Sequence, residues 1–127
     1  MFTDLNVFKT AYAMATHAGQ RQAVISRNMA NADTPEYRSR DIEAFQTAFE
    51  NTKAAMVATR SRHLNGDISG EQPWAEHVID ASGDPNGNGV SLEQEMLKAV
   101  EVKRQHDRAI AIYRSSIGIL RSSLGRA

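Results

Sequence analysis

Ser26-Arg27-Asn28-Met29-Ala30-Asn31-Ala32-Asp33-Thr34-Pro35-Glu36-Tyr37 decides how this chain is read, because an apolar stripe of helical period runs into it and cannot run through it. The ring of Pro35 crowds Thr34 out of the α region and supplies no N–H, so a helix arriving from the N-terminus is expected to finish just before it. Asn31 and Asp33 are residue types that tolerate the bend. The segment reads as a built stop between two structural elements, not as a catalytic loop.

Upstream, Leu5, Phe8, Tyr12, Ala15, Ala18, Ile25, Met29 and Ala32 recur at steps of three and four, with Gln22 as the polar interruption, which marks one face of a long helix. Thr3 or Asp4 is placed to cap its start. Gly19 costs about 1 kcal/mol in a helix interior, so it is expected to permit a close helix crossing or to mark a bend.

Downstream, the C-terminal arm is more regular. Leu92, Met96, Ala99, Lys103, His106, Ile110, Tyr113, Ile117, Leu120 and Leu124 alternate steps of four and three without a slip, the pattern of a heptad seam. Ser91 with Gln94 forms a capping-box pair directly after the breaker run Gly83-Asp84-Pro85-Asn86-Gly87-Asn88-Gly89. Ile112 and Ile119 lie outside the seam and widen the apolar surface, so this helix is expected to touch more than one partner.

Between the arms, Ile42, Phe45, Phe49 and Met56 have helical spacing and predict a shorter helix from about Asp41 to Ala58. Residues 60 to 90 hold most of the glycines, Pro73, Pro85 and the lone Trp74 with no sustained period, and a connection of that length is expected to be mobile. The expected fold is therefore mainly all-α: long terminal helices packed as an antiparallel, coiled-coil-like hairpin that buries both seams, a short middle helix and a flexible polar connection. One domain over residues 1–127 is expected, with an N-terminal arm at 1–34, a turn, short helix and mobile middle at 35–90, and a C-terminal arm at 91–127.

With hydrophobic residues at 41% and charged residues at 24%, composition is that of an ordinary folded chain, but aromatics at 6% argue against a deep single core. A two-helix hairpin leaves apolar surface over, which predicts association. The formal net charge of zero divides unevenly: residues 1–40 and 91–127 are basic, residues 41–90 acidic. The acidic middle of one molecule could therefore face the basic arms of another, against the alternative of a solvated surface. No cysteine is present, so disulfides, thiolate nucleophiles and sulfur-ligated zinc are excluded. No run approaches the roughly 20 apolar residues of a membrane span, and Met1-Phe2-Thr3-Asp4 does not open a Sec-type signal.

Chemical readings fare poorly. His17, His63, His77 and His106 show no metal-ligand spacing, and His106 beside Lys103 reads as a polar break that fixes register. The Gly83–Gly89 run lacks the Gly-Lys-Ser/Thr ending of a phosphate loop. Asp41 with Glu43, and Glu93 with Glu95, stand two residues apart and do not face each other on a helix. Arg104, Arg108, Arg114, Arg121 and Arg126 are interleaved with Glu101 and Asp107 and lack an aromatic platform, so they read as a solvated or intersubunit face, not a nucleic-acid or membrane surface. A cytosolic helical adaptor or secretion chaperone would use the same apolar stripes on one client helix.

The segment from Asn28 to Tyr37 resembles the N-terminal signature of the flagellar basal-body rod and hook proteins, Asn-x-Ala-Asn-x-x-Thr-Pro-Gly-Tyr, with Glu36 where the pattern has glycine. The short length, Arg38-Ser39-Arg40-Asp41-Ile42, and Gly89-Val90-Ser91-Leu92-Glu93-Gln94-Glu95-Met96 point within that family to the proximal rod. The resemblance implies a non-enzymatic axial subunit without cofactor. It would assemble through Phe8, Tyr12, Ile25, Met29, Leu92, Met96, Ile110, Tyr113, Ile117 and Leu120, with Asn28, Asn31, Thr34, Pro35 and Tyr37 forming the turn that sets a neighbour's approach. Implied partners are further copies of the chain, the rod proteins FlgC, FlgF and FlgG, FliE and the flagellar export gate, with no nucleic acid and no direct membrane span. The implied location is the basal-body rod in the periplasmic space, reached by type III export without a cleaved signal peptide.

Overall fold

A computed structural model of the chain describes residues 2–53, 74–79 and 89–125. Two long helices dominate it: α1 over Phe2–Ala30 and α3 over Leu92–Leu124, with the short α2 over Phe45–Lys53 between them. Two short strands, β1 over Arg40–Ile42 and β2 over Glu76–Val78, pair antiparallel with Arg40 opposite Val78 and Ile42 opposite Glu76. Asp41 and Ile42, expected to open the middle helix, therefore belong to a strand, and α2 begins three residues later. Met56 lies outside the described residues, as does most of the 60–90 connection. The part of that connection that is described is ordered: Trp74 is buried and β2 is paired.

The helices run antiparallel, because Phe8 meets Tyr113, His17 meets Gln105 and Asn28 meets Glu95 in turn along their length. Ala18, Ile25 and Val102 form the centre of the seam, with Met29 and Ala99 packed against them, while Ala11 and Ala109 are also buried. Side chains of the Val and Ile class contribute about 1.5–3 kcal/mol each when fully buried. A second cluster, Val24, Ile42 and Trp74 with Phe45 and Ala48, fixes the middle segment to the other side of α1.

The expected seam on α3 is rotated. The fully buried positions of α3 are Glu95, Val102 and Ala109, seven residues apart, with the expected Ala99 packed beside them, whereas Leu92, Met96 and His106 are about half exposed and Lys103 reaches solvent to pair with Asp107 at 2.8 Å. Small side chains explain the choice, since Ala11, Ala18 and Ala109 let the two backbones approach and displace the bulkier Leu, Met and Tyr to the flanks. Tyr12, 70% exposed, is likewise off the α1 seam. Gly19 serves no crossing: a Cβ built there meets nothing within 4 Å, and α1 continues through it.

The ends of the helices follow local chemistry with two changes. α1 is already under way at Phe2, so Thr3 and Asp4 are inside it and do not cap it. Ser91 does occupy the N-cap of α3, with its carbonyl accepting from the Glu95 N–H at 3.0 Å, but its side chain makes no capping bond. Just before it, Gly89 forms a parallel bridge with Arg38, and a Cβ on Gly89 would stand 2.7 Å from the Tyr37 carbonyl oxygen. Only glycine permits that approach. No helix among the described residues is long and apolar enough to cross a membrane.

Candidate functional site: a polar clasp at the signature turn

α1 ends at Ala30, four residues short of Thr34, because Asn31 closes it from two directions. Its backbone N–H reaches the carbonyls of Arg27 and Asn28, at 3.2 and 3.1 Å, and its Nδ2 donates to the Arg27 carbonyl at 2.8 Å. The Asn31 carbonyl then accepts from the Thr34 N–H, and its Oδ1 from the Thr34 hydroxyl. Next comes a turn from Thr34 to Tyr37, closed by the Tyr37 N–H on the Thr34 carbonyl, with Pro35 in its second position and Glu36 in its third. Glu36 has φ of 62°, the only positive value at a non-glycine residue among the described residues. That is where a type II turn needs positive φ and where the signature pattern carries glycine.

Asn28 is the centre of the arrangement and is fully buried. Its Nδ2 donates to the Arg40 carbonyl at 2.6 Å and its Oδ1 accepts from the Arg40 N–H at 3.1 Å, so one side-chain amide takes the place of a strand partner for β1. The same Nδ2 donates to Glu95 on α3 at 3.0 Å, and the Tyr37 hydroxyl donates to Oδ1 at 3.3 Å. A single residue thus joins the end of α1, the turn, the strand and the far helix.

Charge completes the clasp. Arg21 makes a forked contact to Asp41, with Nε donating at 2.7 Å and Nη2 at 2.9 Å. Lys98 bonds Glu95 at 2.8 Å and stands 3.7 Å from Asp41. Burial pushes the Asp41 carboxyl up, but the hydrogen bonds and charge of Arg21, the Ile42 N–H and Lys98 outweigh it and hold it below its ordinary value. Further out, Glu76 on β2 lies 3.2 Å from Arg27 and 3.7 Å from Arg40. The acidic middle and the basic arms therefore meet within one chain at these positions. Among the described residues, no buried side-chain nitrogen or oxygen lacks a partner.

His17 is a second buried polar residue that sequence reasoning treated only as a non-ligand. Its Nε2–H donates to the Glu43 carbonyl at 2.8 Å, and Nδ1 accepts from Gln105 Nε2 at 2.9 Å, an arrangement that fixes the neutral tautomer. Trp74 and Phe45 pack edge-on against the ring at 4.9 and 5.5 Å between centroids. Burial lowers its pKa, the Glu43 carbonyl partly offsets this, and Arg21 lowers it further. Nothing in a lone histidine of α1 announced this role; it depends on Glu43, Trp74 and Gln105 arriving from distant parts of the chain.

Of the residues expected at an assembly surface, Ile25 is sealed in the chain's own seam, Met29 is partly buried against it, and Phe8, Ile110, Ile117 and Leu120 are half-buried. Tyr12, Leu92, Met96 and Tyr113 are exposed. Leu97, Val100 and Ile119, at 69%, 50% and 66% exposure, add apolar surface to α3 outside that set. A groove of about 510 Å³ runs between the helices at Val100, lined also by Ala18, Gly19, Gln22, Ala99, Val102, Lys103 and His106. Among the described residues no three His, Cys, Asp or Glu side chains converge to hold a metal.

No protein-family model matches the chain. It is 30% identical over 121 residues to the flagellar basal body rod protein FlgB of Agrobacterium fabrum, covering 87% of each chain. The chain belongs to the FlgB family of flagellar basal body rod proteins. FlgB of Aeromonas hydrophila is 28% identical over 120 residues, 90% of this chain and 89% of the relative. FlgB of Aquifex aeolicus is 26% identical over 128 residues, 100% of this chain and 98% of the relative. The FlgB match thus spans both arms and the turn between α1 and β1.

Proposed function

We propose that this chain is a structural, non-enzymatic subunit of the proximal rod of the bacterial flagellar basal body, built into the rod through its terminal helices. The observation that carries the reading is the apolar flank left on α3 by the rotated seam, in a chain whose relatives are named as rod proteins along nearly their whole length. Exposed apolar rows are costly unless another surface covers them. In the rod the flank packs against further copies and neighbouring rod proteins, and heterologous contacts of that kind stack without closing. Helices around 40–50 Å long, at about 1.5 Å per residue, then line the export channel and carry torque along the axis. The subunit reaches the rod, in the periplasmic space, through the flagellar type III export apparatus, with FliE and the export gate at its base.

Within this reading the clasp is the rigid corner of the subunit. Asn28, Asn31, Thr34, Pro35 and Tyr37 fix the angle at which the chain leaves α1, so the surface a neighbour meets is set before assembly. The experiment is Ile117→Asp in the full chain, complementing a strain that lacks the gene. Loss of the subunit from purified basal bodies and loss of motility are expected. Normal incorporation with full motility would refute the assignment of α3 as the assembly helix, and retention of the wild-type chain in the cytoplasm would favour a client-binding adaptor.

A further inference from the structure

His17 is fully buried at the junction of α1, α3 and the middle segment, yet the clasp does not use it. Both ring nitrogens are committed, one as donor to the Glu43 carbonyl and one as acceptor from the Gln105 amide. A proton added at Nδ1 keeps the first bond and turns the second into two donors facing each other. Gln105 also directs Nε2 at the Met14 carbonyl, 3.4 Å away, so rotating the amide to accept from the ring gives up that contact. The cation would stand fully buried against the Trp74 and Phe45 rings, a costly place for charge.

The charged groups around the ring do not rescue it. On α1, Arg21 opposes a second positive charge. On β1, Asp41 favours one but is already held by the Arg21 fork and by Lys98. From α3 the facing group is the neutral Gln105, with Glu101 acting on Arg21 instead. Ahead of α2 it is the Glu43 backbone and at its start the Phe45 ring, and from the segment before β2 the Trp74 ring.

Water can reach the imidazolium in two ways. Separating α1 from α3 would break the Ala18–Ile25–Val102 seam and the Asn28–Glu95 bond. Lifting Trp74 and Phe45 gives up their packing on Val24 and Ile42 but leaves that seam and the Asn28–Glu95 bond intact, while the Arg21–Asp41 fork still anchors β1. We propose that His17 is a proton-operated latch: the neutral ring holds the Trp74–Phe45 cover shut, and the protonated ring opens it while the helix pair and the clasp stay in place.

Trp74 is the only tryptophan, so its fluorescence reads the cover directly. The full chain is titrated from pH 8 to pH 5 with far-ultraviolet circular dichroism in parallel. The expected result is a red shift of Trp74 emission with a midpoint below 6.5, the ordinary histidine value, and helical signal unchanged through it. His17→Gln should abolish the shift, and His77→Gln should leave it as it was. Gln105→Glu gives Nδ1–H an acceptor and should move the midpoint upward by about 1 unit. A shift that survives in His17→Gln, that moves with His77, that fails to rise in Gln105→Glu, or that coincides with loss of helix overturns the latch.

Discussion

At Asn28 a single fully buried amide meets the backbone N–H and C=O of Arg40 and the buried carboxylate of Glu95. Asn28→Ala removes these partners together. Each buried group left unpaired costs about 1–3 kcal/mol, so a loss of about 2–4 kcal/mol in urea unfolding is expected, with β1 loosening first in amide exchange. Aspartate at this position keeps the acceptor but loses the donor to Arg40 and sets a second carboxylate against Glu95, so it should not rescue. Glu36 presents the opposite case, a residue that costs stability where it stands. A left-handed conformation costs a side-chain-bearing residue about 1–2 kcal/mol, and glycine returns part of that through the entropy of its unfolded state. Glu36→Gly should therefore stabilise the chain by about 0.5–1 kcal/mol, read as a raised urea midpoint with an unchanged slope. A neutral or lowered midpoint would show that the Glu36 side chain compensates its own backbone.

Among the elements, α1 carries Gly19 in its interior and continues straight through it. A helix-interior glycine with open space at its Cβ has no packing reason to be glycine in the isolated chain. Gly19→Ala should raise stability by about 1 kcal/mol in urea unfolding. Since Gly19 lines the groove between the helices, the same change is expected to weaken assembly if a neighbour lies against it. The two long helices, the stop before Pro35 and the first residue of α3 were all legible, because each rests on local chemistry: periodicity, a proline and a break-rich run before Ser91. The face of α3 was not. A heptad count spaces apolar residues but does not say which row approaches closest, and here the alanines and the Asn28–Glu95–Lys98 contacts selected the row through Glu95, Val102 and Ala109. The strand at Arg40–Ile42 was hidden for a related reason, since three residues cannot display a period and the partner is 34 to 38 positions away. The clasp was half legible: Asn28, Asn31, Thr34 and Tyr37 stood out through the signature pattern, whereas Arg21, Asp41, Glu95 and His17 gained their roles only from tertiary neighbours.

For the whole molecule, the question is which apolar residues serve the chain itself and which serve its neighbours, and exposure separates them. Val102 is buried at the seam, while Ile119 on the same helix is 66% exposed and touches neither core cluster. Val102→Asp places an unpaired carboxylate between two helices and should unfold the chain outright. Ile119→Asp removes no intrachain packing of that kind, so its urea midpoint should stay within about 0.5 kcal/mol of wild type. In cells the same variant should be absent from purified basal bodies, because an aspartate on the covered flank is desolvated only when a neighbour docks. The pair distinguishes folding from assembly in a way that Ile117→Asp, half-buried already, does not. If Ile119→Asp were incorporated normally with wild-type motility, the covered flank would have to lie elsewhere on α3, with exposed Leu97 and groove-lining Val100 the next residues to change.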